Sequence, residues 1–310
     1  VIFSGPPSDA ADGTAGRDPY SPWRTASVFG RTTSGRVRAR TLVPMETARA
    51  MDPALAPRRT DALWRTARPA ERLCYATGAA LMASGLVHLA VFGVDGGPWN
   101  GPVSWRKPIT FGLSFGLTLI ALTWVTSYLQ IGARRRNALL VVFAADCVLE
   151  VGGITLQAWR KVPSHLNMES AFDTAVSLSL AVGGGILVVL LTLFAVAAFR
   201  KRPSGPTGMP LAVRSGFAVL LVALASGAAM IARGVTLTRT GHQEAAYHST
   251  AALKPLHGVS LHAVLVLPAL AWLMSRTTWT DRAKESAMWI AVAAYGVAVL
   301  AAGAWAAVTY

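Results

Sequence analysis

Beyond about residue 69 the chain alternates between long apolar blocks and short polar breaks. Most blocks exceed the ~18 apolar residues that mark a membrane-span candidate. They predict seven helices, over residues 73–92, 108–129, 137–159, 174–199, 216–232, 259–274 and 287–310. The sixth is short for a bilayer and contains Pro268. Glycine and proline are tolerated within such spans because neighbouring helices re-satisfy the backbone. Residues 1–68 show no sustained apolar period and are rich in Ser, Thr, Gly, Pro, Arg and Asp, the composition of a disordered basic tail. They hold no continuous apolar stretch of the length a signal peptide needs. The expected fold class is therefore all-α: a polytopic transmembrane bundle of about seven spans over residues 69–310, behind a tail over 1–68.

Composition agrees with this pattern. Only 14% of the 310 residues are charged, against about 25% in soluble domains, and mean hydropathy is +0.44. The net charge of +14 does not point to nucleic acid, because the basic residues sit in short inter-span breaks and the tail. One set of breaks, with the segment before the first span, holds fifteen Lys and Arg, including Arg134, Arg135 and Arg136; the opposite set holds seven. The positive-inside rule then puts the N-terminus in the cytoplasm. Arg outnumbers Lys 24 to 5, the bias of a GC-rich bacterial genome, so the expected location is a bacterial inner membrane. Cys74 and Cys147 fall at different depths and offer neither a disulfide framework nor a Cys-based zinc site.

In that topology the unusual polar residues gather on the outer side. His165, His242, His248, His257 and His262 lie in or just beneath the outer loops, and His88 lies near the outer end of the first span. Within the third span, Asp146, Glu150, Gln157 and Lys161 are spaced four, seven and four apart and share one helical stripe. A carboxylate in hydrocarbon costs about 2.5–3.5 kcal/mol on insertion scales and usually faces the bundle interior. Asp146 and Glu150 are therefore either buried structural groups or a proton relay, ion site or ligand anchor. His88 and His262 sit at matched depths, about 5–6 Å below the outer interface. That placement suits axial ligation of a haem or shared binding of a metal ion; the structural alternative is one hydrogen bond each across a helix contact. Arg106 and Lys107, and likewise Arg160 and Lys161, follow a tryptophan, so each pair is either an interfacial anchor or a site for an anionic headgroup or substrate.

Three stretches stand out together: "WRKPITFGLS", "ITLQAWRKVPSHLN" and "HGVSLHAVLVLP". They resemble signature stretches of an uncharacterised group of bacterial multi-pass membrane proteins, over roughly residues 73–275. The resemblance implies that the three stretches belong together and brings no activity with it.

Other motifs are weak. Ser164, His165 and Asn167 lack the partner pattern of a nucleophilic triad. Gly183, Gly184 and Gly185 lie within a span, lack the P-loop lysine and read as a close helix contact. The leading expectation is an outward-facing polar, His-rich pocket walled by the first, second, third and sixth spans. It would bind a small ligand, lipid headgroup or cofactor through Glu150, Asp146, Gln157, Arg106, Lys107, Arg160, His165 and His257, with His88 and His262 as ligands to haem or metal. The alternatives are a small-molecule or proton-coupled transporter in which Glu150 titrates, and a non-catalytic membrane assembly subunit.

Overall fold

The structure, a computed structural model, describes residues 66–309. The expected tail falls almost wholly outside that range. Among the described residues all regular structure is helical: α1 Pro69–Asp95, α2 Arg106–Val125, α3 Ala133–Trp159, α4 Ala171–Arg200, α5 Met209–Arg239, α6 Gln243–His248, α7 Lys254–Met274 and α8 Asp281–Thr309. Seven of these, all but the one-turn-and-a-half α6, are long and apolar enough to cross a membrane. The chain is an integral, multi-pass membrane protein.

Most helices begin before their apolar blocks do. Pro69, Pro210 and Pro255 each stand at or next to a helix start and Ser170 caps α4, so polar residues are drawn into first turns. The sixth span begins at Lys254 instead of residue 259 and reaches 21 residues. At about 1.5 Å per residue it covers the hydrocarbon thickness after all.

The helices form a ring in which α1 packs on α2, α2 on α7, α7 on α5, α5 on α4, α4 on α3, and α3 back on α1 and α2. Helix α8 lies outside it against α7 and α5, with Trp289, Ile290, Val297 and Leu300 exposed. Residues 96–105, 160–170 and 240–253 make one end, here the loop end; residues 129–132, 201–208 and 275–280 make the arginine-rich end. Helices α1 and α2 approach through glycines. A Cβ at Gly116 would stand 2.5 Å from the Gly78 carbonyl oxygen, and one at Gly112 would stand 2.9 Å from the Gly85 Cα. Small residues give such close approach in bilayers, where van der Waals packing replaces the hydrophobic drive. Helices α5 and α7 do the same at Gly216, where a Cβ would lie 2.9 Å from the Val264 Cα.

Arg136 departs from its expected place in a solvated loop. It is buried in the first turn of α3 and bonds the Glu71 carboxylate, the Thr123 carbonyl at 2.6 Å and the Thr126 hydroxyl at 3.2 Å. The pair fastens α3 to the start of α1 and the end of α2. Cys74 and Cys147 are both buried and unbridged.

Gly116→Ala is expected to destabilise the detergent-solubilised protein by about 1–3 kcal/mol, since backbone atoms of α1 cannot yield to the added methyl. Gly184→Ala, whose Cβ would meet nothing within 4 Å, is the control. Equal melting temperatures for both variants would refute close α1–α2 packing as the cause.

Candidate functional site

Helix α3 turns Asp146, Glu150 and Gln157 onto one buried face, as their spacing demands. Opposite them, α4 presents Asp173, Ser177, Leu180 and Gly183, all buried. Along this interface two polar clusters alternate with one apolar layer.

The first cluster is the acidic pair, near the middle of both helices. The Glu150 Oε1 and Asp146 Oδ1 atoms converge on Gly183, lying 2.6 and 2.9 Å from the point where a Cβ would stand. Any side chain larger than hydrogen would displace them, so Gly183 makes the room. A Cβ at Gly184 or Gly185 would meet nothing within 4 Å, so of the three glycines only Gly183 has its missing side chain's place taken by a neighbouring helix. The backbone N–H of Gly184 also approaches Glu150. The Asp146 Oδ2 atom is buried without a hydrogen-bond partner. No described cation lies within salt-bridge distance of either carboxylate.

One turn nearer the loop end, Leu180 packs onto Gly153, with its Cδ2 2.9 Å from the glycine's would-be Cβ. Beyond it lies the second cluster. Gln157 donates to Asp173 at 2.9 Å, Arg160 bonds Gln157 at 2.5 Å and also the Asp173 carboxylate, and Ser170 donates to Asp173 at 2.5 Å. Asp173 was not foreseen as the partner of Gln157 and Arg160. The signal was present in "SAFD", the cap-and-carboxylate spacing of a helix start.

Lys161 leaves the expected stripe. Helix α3 stops at Trp159 and Lys161 takes a left-handed backbone with φ 57°, which swings it toward α1. There it bonds Asp95 at 2.5 Å and stands 4.5 Å over the Trp105 ring. The Trp105 indole N–H donates to the same carboxylate at 2.6 Å.

His88 and His262 do not meet. His88 is buried beside Trp105 and Trp159, with Nδ1 2.7 Å from the Ser84 carbonyl and Nε2 accepting the Trp159 indole N–H at 3.1 Å. With one nitrogen donating to a carbonyl and the other accepting, no lone pair is left for a metal. His262 is exposed on α7 and bonds the Gly258 carbonyl of its own helix at 2.6 Å. Among the described residues no group of three or more His, Cys, Asp or Glu could hold a metal ion. His257 bonds the Ala223 carbonyl on α5 at 2.9 Å, and His242 and His248 are exposed. An open groove of about 620 Å³ does lie at this end, between α1, Trp105 and Trp159, and none of the six histidines lines it.

The third grouping centres on His165, which lies beside the Phe111 ring and bonds the Ser164 hydroxyl at 2.9 Å. Burial, and then the nearby Lys107 ammonium, hold its imidazole down at about 4, well below the ordinary 6.5. Arg106 donates through Nε to the Trp99 carbonyl at 3.0 Å. Arg106, Lys107 and Lys254 are near enough for their charges to repel.

Comparison with family models, curated proteins and solved structures finds none that matches this chain.

His165 gives a pH dependence with a definite sign. The folded state favours the neutral ring, so its contribution is present in full above pH 6.5 and is lost as pH falls from 6.5 towards about 4. The melting temperature of the purified protein is expected to drop over that window, and His165→Gln to drop less. An unchanged slope in His165→Gln would assign the dependence to other groups.

Proposed function

We propose that this membrane protein is a proton-coupled carrier whose proton-binding site is the Asp146–Glu150 pair. The observation that supports it is the convergence of two buried carboxylates on Gly183, with no cation partner and one oxygen lacking any donor. Two anions this close in hydrocarbon, without a counter-charge, are costly by several kcal/mol, so the site holds a proton between them. The pair lies near mid-membrane, where a carrier needs its coupling site to face each side in turn. Leu180 over Gly153 closes it from the loop end in this state, and exposure requires only that a leucine side chain and a glycine-lined contact shift. We place the arginine-rich end in the cytoplasm of a bacterial inner membrane, as the positive-inside rule directs.

Infrared difference spectroscopy on a pH step tests the reading. The wild type is expected to show the C=O band of a protonated carboxylic acid, shifted in D2O and lost in both Glu150→Gln and Asp146→Asn. Leu180→Ala should speed hydrogen–deuterium exchange of that band. A spectrum unchanged in both carboxylate variants would remove the proton from this pair.

Orientation has its own check, at two exposed positions. A cysteine introduced as Glu169→Cys should react with an impermeant thiol reagent on intact cells, and Arg134→Cys should react only after lysis. The reverse pattern inverts the topology.

A further inference from the structure

The loop end carries a second unbalanced charge, of opposite sign and on different helices. Helices α2 and α7 touch and run in the same direction, so their N-termini open at the same end of the bundle. Helix N-termini carry partial positive charge and usually attract carboxylates into their first turn. Neither first turn has an acidic residue; α2 begins with Arg106 and Lys107, and α7 begins with Lys254. The charged neighbours of Lys107 are Arg106 and Lys254, that of Lys254 is Arg106, and the His165 imidazole also lies near Lys107. No described carboxylate lies within salt-bridge distance of any of the three. Lys107 is half-buried with no hydrogen-bond acceptor on its ammonium, while Arg106 keeps its remaining guanidinium nitrogens beyond the Nε bond to Trp99. Arg136, Arg160 and Lys161, by contrast, each have a carboxylate partner.

We propose that Arg106, Lys107 and Lys254 form a phosphate-binding site at the loop end. A planar guanidinium and two ammonium groups suit a tetrahedral oxyanion carrying up to two charges; a single carboxylate would leave most of the positive charge uncompensated. The phosphate belongs either to a lipid headgroup, since the site lies at the end of the spans, or to a free phosphate. This site shares no residue with the carboxylate pair, so either can fail alone.

The full chain, delipidated in a neutral sugar detergent, is titrated with inorganic phosphate in one arm and with phosphatidic acid in mixed micelles in the other. Melting temperature and lipid retention in native mass spectrometry are followed, with sodium chloride at matched ionic strength as reference. Stabilisation above the chloride reference is expected, with binding weakened at least about tenfold in Lys107→Gln and in Lys254→Gln. Lys201→Gln, exposed at the opposite end, should bind as wild type does. A response to phosphatidic acid alone identifies a headgroup site, and one to inorganic phosphate identifies a free-phosphate site. No stabilisation beyond chloride in either arm, or undiminished binding in both lysine variants, overturns the proposal; Lys254 is exposed, so its variant folds whatever becomes of Lys107.

Discussion

A charge inside an apolar bundle must find a counter-charge, a proton or a ligand, and this constraint organises the third membrane helix. Arg136 in the first turn of α3 pairs with Glu71 on α1; Arg160 just past its end pairs with Asp173 on α4; Lys161 pairs with Asp95 on α1. Helix α3 is thus fastened by charge at both ends and to both neighbours. Of the three, only Arg136–Glu71 is largely buried on both sides; such a pair is weak evidence for net stability, because desolvation offsets attraction, yet removing one of its partners costs about 3–5 kcal/mol. What the pairs specify is register: sliding α3 by one turn would break all three and strand the buried Arg136. The acidic pair in the middle of the same helix is held at a fixed depth by those ties.

The interfaces differ in what they permit. Where α1 meets α2, and α5 meets α7, would-be Cβ positions fall within 3 Å of backbone atoms, so neither pair can shift without parting. Between α3 and α4 the close approaches are to side-chain ends: Leu180 over Gly153, and two carboxylates over Gly183. Side chains change rotamer where backbones cannot, so movement within the ring is cheapest between α3 and α4. That interface is also where the uncompensated carboxylates lie.

The seven spans were legible because hydropathy is a property of each segment alone. Their ends were not, since prolines and a serine cap extend helices beyond the apolar residues that reveal them. The shared face of Asp146, Glu150 and Gln157 followed from helical period; Lys161 escaped it because the helix ends two residues earlier and the chain turns left-handed. Depth can be read from position along a span, and His88 and His262 matched in depth. Direction around the axis and the identity of neighbours cannot be read that way. The fold gives His88 to Trp159 and leaves His262 exposed. Asp173 and Lys254 were missed for the same reason, being ordinary helix-start residues until the neighbouring helix is in place.

The two unbalanced clusters sit on different helices, the acids on α3 against α4 and the cations on α2 and α7, yet one segment touches the cations and also the helix that faces the acids. The 160–170 loop brings His165 beside Lys107, while its Arg160 holds Asp173 and its Asn167 N–H donates to the Ser177 hydroxyl on α4 at 3.1 Å. Its backbone is not relaxed: Lys161 and Leu166 both hold positive φ without being glycine, at about 1–2 kcal/mol each. Both are restrained from outside the loop. Asp95 holds Lys161, and Gln243 donates to the Leu166 carbonyl at 2.7 Å while the Leu166 side chain fills the space over Gly234. A strained segment clamped by α1, α4, α5 and α6 stays in place only while those contacts last. Charge arriving at Lys107 would act on His165 within that segment, and α4, which carries Leu180, is joined to it through Asp173 and Ser177. The loop therefore joins the cations at the loop end to the helix that carries the apolar layer beside the carboxylate pair.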